Sequence, residues 1–261
     1  MKSMETIQRR FSIDRLGVEV FRSRNDLGQA AGIAAAGHLR SVLRRQERAR
    51  VIFACAPSQN EFLDALTAQS KIAWRRVTAF HMDEYVGLAA THPASFRSYL
   101  REHLTSKVTP GCVRELAGDA ADRAAEVQRY ASLLTEEPID MVCLGIGENG
   151  HIAFNDPPVA DFHDPAMVKV VELDSACREQ QVNDGCFASL AAVPLHALTL
   201  TVPALMSGAR LFCMVPGKRK APAVAKTLQG PVTPACPASI LRVHPAATLF
   251  LDQDSAALLP S

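Results

Sequence analysis

An excess of charge of either sign is missing from this chain. Lys and Arg number 28 against 27 Asp and Glu, a net +1 over 261 residues, with both signs spread along the sequence. No basic patch or arginine-rich tail is present, so neither nucleic acid nor a membrane surface is expected as a partner. Paired cysteines are missing too. The seven cysteines are an odd number, and none forms C-x-x-C. Cys143 and Cys213 sit inside apolar runs, where cysteine behaves as a small hydrophobe. A disulfide framework and a zinc site are therefore not expected, and a reducing cytoplasm fits best. The N-terminal stretch MKSMETIQRRFSI has no apolar core of the signal-peptide kind. No run reaches the roughly 18 apolar residues a membrane span needs. Repeats, low-complexity segments and linkers are also absent, which reads as one domain over residues 1–261.

What is present is 48% apolar composition, enough for a sizeable core, and an alternation of short β-branched runs with longer helical patterns. The pattern predicts a long helix over Asn25–Arg45, capped by Asn25 or Asp26 and basic in its last turn. A strand at Val51–Ala54, a helix near Asn60–Gln69 and a strand at Val77–Phe80 follow. Helices are expected near Ala94–Leu104 and Ala120–Leu134, then a strand at Ile139–Leu144. Val168–Leu173, Ala197–Thr201, Leu211–Val215 and Ala247–Leu251 read as further strands, with helices near Pro203–Ser207 and Arg219–Gln229. This alternation implies an α/β fold with a mostly parallel sheet covered by helices on both faces. Ligands of such sheets bind beyond the carboxyl ends of the strands, so residues just after strands carry the information.

Four such junctions stand out. Leu144–Pro158 reads LGIGENGHIAFNDPP, and Gly145 to Gly150 matches G-x-G-x-x-G. A dinucleotide fingerprint needs a helix after the last glycine, but Asn155-Asp156-Pro157-Pro158 stops a helix within about one turn. The glycines instead let backbone amides approach a ligand, and the loop projects His151 and Asp156 into one cleft. Histidine is the usual acid–base group near neutral pH, and a carboxylate can orient it. A capped, solvated turn is the plainer reading. In TAFHMDEYVGL, Asp83-Glu84 end a strand where a catalytic base would sit, and their mutual repulsion can raise one pKa; a cap for the next element is the alternative. In ACAPSQNEF, Ser58 can cap a helix whose amides point at an anion, or be a cap and nothing more. In PGKRKAPAV, cationic side chains stand at a helix N-terminus, where a bound anion would offset them. Lys220 is the candidate there, against a solvated basic turn.

Taken together, FHMDEYVGL with downstream HPASF, GIGENGHIAFNDP, and ALTLTVPALM followed by PGKRKA resemble the glucosamine-6-phosphate deaminase (isomerase) family, from about Val51 to Leu258. The resemblance implies a modified Rossmann-like fold shared with 6-phosphogluconolactonases. It also implies aldose–ketose isomerisation of an amino sugar phosphate with loss of ammonia, without nicotinamide or a catalytic metal. His151 would open the pyranose ring, oriented by Asn149 and Asp156, and Asp83 would abstract the proton on carbon 2. Lys220 matches the phosphate-binding lysine, Ser58 and Gln59 lie in the phosphate-loop position, and Gly147 is expected against the substrate. The partner is thus a small sugar phosphate; a homo-oligomer is possible, since the family includes monomers and hexamers.

The chain departs from the family in three places. Cys55-Ala-Pro-Ser-Gln59 replaces a loop close to T-G-G-T-P, and proline supplies no amide donor. Asp156 stands where a glutamate is usual, and Asn149 where aspartate is common. A phosphate-binding arginine expected near Asn183–Gly185 is missing, with Arg178 several residues early; losing such a fork weakens phosphate binding. The short segment after DQDSAALL also argues against the effector site of the allosteric members. The rival readings are a 6-phosphogluconolactonase, whose loop reads more like GHTASLFP with DER in place of DEY, and a non-catalytic sugar-phosphate sensor. The sensor would ordinarily carry a DNA-reading head, and none is evident in the first fifty residues.

Overall fold

The computed structural model describes residues 7–260, so the first six residues of MKSMETIQRRFSI lie outside the described residues. The rest of that stretch is β1 (Ile7–Ile13), which turns back on β2 (Leu16–Phe21) as an antiparallel hairpin. Helix α1 (Arg24–Arg45) follows, then β3 (Ala49–Phe53), a 3₁₀ turn at Pro57–Gln59, α2 (Asn60–Thr67), β4 (Val77–His81) and β5 (Asp83–Tyr85). Next come α3 (Phe96–Leu100), extended by a π turn at Arg101–Thr105, then β6 (Cys112–Arg114), α4 (Arg123–Thr135) and β7 (Met141–Leu144). The last part holds β8 (Val168–Glu172), α5 (Ser175–Asn183), β9 (His196–Leu200), α6 (Val202–Met206), β10 (Leu211–Val215), α7 (Ala221–Gln229) and β11 (Ala247–Asp252).

Eight strands form one sheet in the order β1-β2-β11-β10-β7-β3-β4-β6, and every pairing except the β1–β2 hairpin is parallel. Its central strands β3, β7, β10 and β11 are buried on both faces, as a doubly covered sheet requires. Val51, Phe53, Met141, Cys143, Phe212 and Met214 pack with α1, α2 and α3. The alternate residues Ile52, Val142, Leu144, Leu211 and Cys213 pack with α4, α6 and α7 on the other side. The expected α/β class, mostly parallel sheet and two-sided helical cover are therefore present.

Three expectations need correction. Val168–Leu173 and Ala197–Thr201 do not join the main sheet. As β8 and β9 they pair antiparallel with each other, and β9 pairs with β5, giving a separate sheet ordered β5-β9-β8. β-Branched alternation fixes a strand but not its partner, which is a long-range choice. Ser23, rather than Asn25 or Asp26, caps α1, its hydroxyl accepting from the Asp26 amide at 3.2 Å. Ser58 does not cap α2: Pro57 starts the 3₁₀ turn, and no side chain caps the helix that begins at Asn60.

The chain adds β4 on one side of β3 and later returns to place β7 on the other, with β10 beyond. The order thus reverses between β3 and β7, the switch point at which such sheets open a crevice. The loops after β3, β7 and β10 converge there, with the β4–β5 corner beside them.

Candidate functional site

A cleft at this switch point is lined by Ser58 and Gln59 after β3, Met82 and Asp83 after β4, Gly145 to Gly147 and His151 after β7, and Lys220 after β10. The four junctions singled out in the sequence therefore share one cavity. Helix α5 closes one wall with Gln180, Gln181 and Asp184.

The β4–β5 corner is held from behind. His81 is fully buried; its Nδ1 lies 2.8 Å from the Asp83 carbonyl, and its Nε2 accepts from the Leu116 amide at 2.9 Å. These roles require a neutral ring protonated on Nδ1, and burial indeed pulls its pKa below the ordinary value. The Tyr130 hydroxyl bonds both the amide and the carbonyl of His81, at 3.1 and 2.8 Å.

The two carboxylates at this corner have opposite surroundings. Glu84 accepts from the Tyr85, Phe96 and Arg97 amides, from Ser95 Oγ at 2.6 Å and from Arg97 Nε at 3.1 Å. Asp83 is also buried, at 6% exposure, but it lines the cleft and no ion pair joins it to a cation among the described residues. Burial, and then the charge of Glu84, push its carboxyl well above the ordinary range. The pair-induced pKa shift expected from sequence is thus present, with burial as the larger cause.

The β7 loop builds a histidine relay. His151 Nδ1 lies 2.8 Å from Asn149 Oδ1 and 2.9 Å from Asp156 Oδ1, while Asn149 Nδ2 donates to the same Asp156 oxygen at 2.9 Å. Two acceptors on Nδ1 assign the proton to that nitrogen and leave Nε2 as the ring atom available to a ligand. Burial alone would raise the Asp156 carboxyl, but the hydrogen bond from His151, the imidazole charge and the Asn149 amide bring it below the ordinary value. The shorter aspartate therefore reaches the ring.

The glycines of this loop serve the histidine. A β-carbon on Gly147 would lie 2.2 Å from the His151 ring, so only glycine lets the ring pack there. Gly150 has φ +91°, a conformation that turns the chain immediately before His151. The loop is also tied to the small sheet. Thr199 is the register partner of Asp83, and its Oγ1 accepts from the Phe154 amide at 3.1 Å, while Asn155 Nδ2 donates to the Leu200 carbonyl at 2.8 Å.

At the far end, Lys220 is 8% exposed and pairs with no carboxylate among the described residues. Burial pulls its ammonium below the ordinary value, against Asp184 and Glu148, which raise it. Its turn is fixed by Asp252, whose carboxylate accepts from the Gly217 amide at 3.0 and 2.9 Å. Gln59 Nε2 donates to Ser58 Oγ at 3.1 Å and to the Met214 carbonyl at 3.3 Å, joining the β3 loop to the end of β10.

Arg178 does not supply the absent arginine: it bonds the Leu190 and Val193 carbonyls at 2.6 and 3.2 Å and lies outside the cleft lining. Arg219 reaches the expected place instead, 2.7 Å from Asp184 Oδ1 and 3.0 Å from Glu148 Oε1, beside the Asn183 carbonyl. Metal-type ligands gather once among the described residues: His151, Asp156 and Cys177, all buried, have ligand atoms within 4.8 Å of one another. The hydrogen bonds of the histidine relay already account for the first two. All seven cysteines are free.

This arrangement offers an unpaired carboxylate and an oriented imidazole in one cleft, with a lone buried cation at its other end. That is equipment for moving protons on a small anionic substrate. Residues 22–250 match the family described as glucosamine-6-phosphate isomerases/6-phosphogluconolactonase. The chain is 39% identical over 202 residues to a glucosamine-6-phosphate deaminase of Listeria monocytogenes, covering 77% of this chain and 84% of that one. It is 36% identical over 196 residues to that of Oenococcus oeni, covering 75% and 80%. Among solved structures, a monomeric glucosamine-6-phosphate deaminase superposes with TM-score 0.84 at 29% identity, covering 92% of this chain and 99% of that one. A 6-phosphogluconolactonase from Trypanosoma brucei superposes with TM-score 0.75 at 17% identity, covering 95% and 100%, a likeness of fold alone.

Proposed function

Because the chain belongs to the glucosamine-6-phosphate isomerase/6-phosphogluconolactonase family, it is an enzyme of carbohydrate metabolism, and we propose that it converts glucosamine 6-phosphate and water to fructose 6-phosphate and ammonia. The observation that carries the proposal is Asp83: a buried carboxylate without a cation, in the same cleft as His151.

His151 Nε2 takes the proton of the anomeric hydroxyl and returns it to the ring oxygen, opening the pyranose to the aldehyde. The relay through Nδ1 to Asn149 and Asp156 holds the ring and keeps Nε2 facing the substrate. Asp83 then removes the proton on carbon 2, the electron pair forms the C1–C2 double bond, and the carbonyl oxygen takes a proton from the ammonium group to give the enolamine. Protonation at carbon 1 yields the 2-iminium ketose. Water adds to carbon 2, ammonia leaves with the C–N bond, and the ketone of fructose 6-phosphate remains. The raised pKa of Asp83 suits both halves of this exchange, because the same carboxyl accepts a proton and can hand it back. Lys220 and Ser58 receive the phosphate, with Arg219 at the rim. No step needs a metal or a nicotinamide.

The lactonase and sensor alternatives gain no comparable support, since the lactonase neighbours stand at 17–19% identity. Seven free cysteines favour a reducing cytoplasm, and no helix among the described residues is long and apolar enough to cross a membrane. The reaction runs in the direction of amino sugar breakdown, N-acetylglucosamine included. The test is release of ammonia and fructose 6-phosphate from glucosamine 6-phosphate by the folded enzyme. Lactone hydrolysis or tight binding without turnover would overturn the reading.

A further inference from the structure

The two adjacent glutamines of α5 line the cleft and differ in what their amides are committed to. Gln180 is engaged at both ends: its Oε1 accepts from the Glu148 amide at 2.8 Å, and its Nε2 donates to Asp184 Oδ2 at 3.3 Å. It fastens the β7 loop to α5. Gln181 is engaged at one end only. Its Oε1 accepts from the Tyr85 hydroxyl at 2.8 Å.

Tyr85 is a rigid anchor. It is fully buried, it stands two residues after Asp83 on β5, and its ring is enclosed by Phe96, Phe154 and Phe187 at centroid distances of 4.9, 5.3 and 5.2 Å. Burial pushes its phenol well above the ordinary pKa, so the hydroxyl keeps its proton and donates it. A side-chain amide whose oxygen is held this way has its orientation fixed. The NH₂ of Gln181 therefore has no protein acceptor among the described residues, and the residue is 8% exposed on the cleft wall that it shares with Asp83 and His151.

We infer that Gln181 is a substrate-binding residue whose Nε2 donates to a sugar hydroxyl, at carbon 3 or carbon 4 of the substrate. This inference rests on the deaminase reading of the site. The chemistry of the amide selects the target. Tyr85 holds the oxygen end, so the end of the amide left without a protein partner is its NH₂, a donor that answers an oxygen lone pair. It reads the hydroxyls between the reacting carbons and the phosphate, and it leaves the amino group to Asp83. Tyr85 is a positioning residue that acts through Gln181. A donor on the cleft wall discriminates because a bound substrate displaces its water, and one without the matching oxygen then leaves it unpaired.

The experiment compares kcat/KM for glucosamine 6-phosphate and its 3-deoxy and 4-deoxy analogues in the wild type, Gln181→Ala, and the double variant Gln181→Met with Tyr85→Phe. The double variant removes both partners of the bond, which is close to neutral for folding, and so covers the case in which the alanine variant is unstable. In the wild type one deoxy analogue is expected to fall by about tenfold relative to the parent sugar. In either variant the parent sugar should fall by about the same factor, and that analogue should lose nothing further. Equal losses on the parent and both analogues would mean a merely structural role and would overturn the inference. So would unchanged kinetics in Gln181→Ala. Absence of ammonia release by the wild type would instead defeat the deaminase reading, a result distinguishable from either.

Discussion

Arg97 Nε lies 3.1 Å from Glu84 Oε2, while Asp83, the neighbour of Glu84 in sequence, pairs with no cation among the described residues. Two adjacent carboxylates are thus sorted by one arginine. Glu84 is enclosed by a set of donors, and Asp83 is left buried at the edge of the cleft with a reason to hold a proton.

Replacing Asp83 by Asn should lower kcat by about 10²–10⁴-fold, the contribution of a positioned base, with the circular dichroism spectrum unchanged. Stability should move the other way. A carboxyl raised above its unfolded value lets the native state bind more protons, so the wild type loses stability as pH climbs from about 4 upward. Asp83→Asn escapes that loss. Its melting temperature should exceed that of the wild type at pH 7, and the two should converge near pH 4.

The same raised pKa fixes the acid limb of the rate profile. The base must be ionised, so kcat/KM should begin to fall at a pH above the ordinary carboxylate value of about 4. An acid limb at or below that value would remove Asp83 from the role.

Gly147→Ala places a methyl group 2.2 Å from the His151 ring and must displace it. Displacement of a catalytic group by about 1 Å costs about 10²-fold in rate. A crystal structure of the variant should show the ring moved off Asp156, and unchanged kcat would show that the ring position is not critical.

Asp156 shows the opposite linkage to Asp83. Its carboxyl is held below the unfolded value, so its stabilising contribution is present above about pH 4 and lost as the pH falls through the folded value. Asp156→Asn should therefore be less stable than the wild type at pH 7, with the difference shrinking under acid. Its turnover should fall by about a hundredfold as the imidazole loses its counter-charge.

Lys220→Met should raise KM for the phosphorylated sugar while stabilising the unliganded fold. A lysine depressed by burial costs stability while charged, and that cost is relieved as the pH rises toward about 10. The gain in melting temperature should be largest at neutral pH and fade toward that value. Inorganic phosphate at a hundred times its Kd should stabilise the wild type by about 2.7 kcal/mol and leave Lys220→Met unmoved.

The site was legible in sequence where chemistry and chain direction are local. Asp83, His151 and Lys220 each lie in the junction that follows an apolar strand, and a parallel sheet collects such junctions at one edge. Which strands share a sheet was not legible: β8 and β9 look like any β-branched run, and the pairing of β9 with β5 depends on residues more than 100 positions away in sequence. Ser58 is not the helix cap that its place after a strand suggests, because Pro57 starts a 3₁₀ turn and delays the helix to Asn60. Gln180 and Gln181 were missed because consecutive polar residues on a helix ordinarily face water. Their signal was the cysteine three positions before Gln180, buried on the same short helix.

Thr199 gives the molecule one consequence more. It pairs with Asp83 through the backbone and grips the His151 loop through its hydroxyl, so a single residue links the strand of Asp83 to the loop of His151. Ser58 and Lys220 follow other strands, β3 and β10. On the proposed roles, the proton-moving pair and the phosphate end of the cleft are thus mounted separately, and the phosphate end can be refitted without resetting the distance over which protons travel.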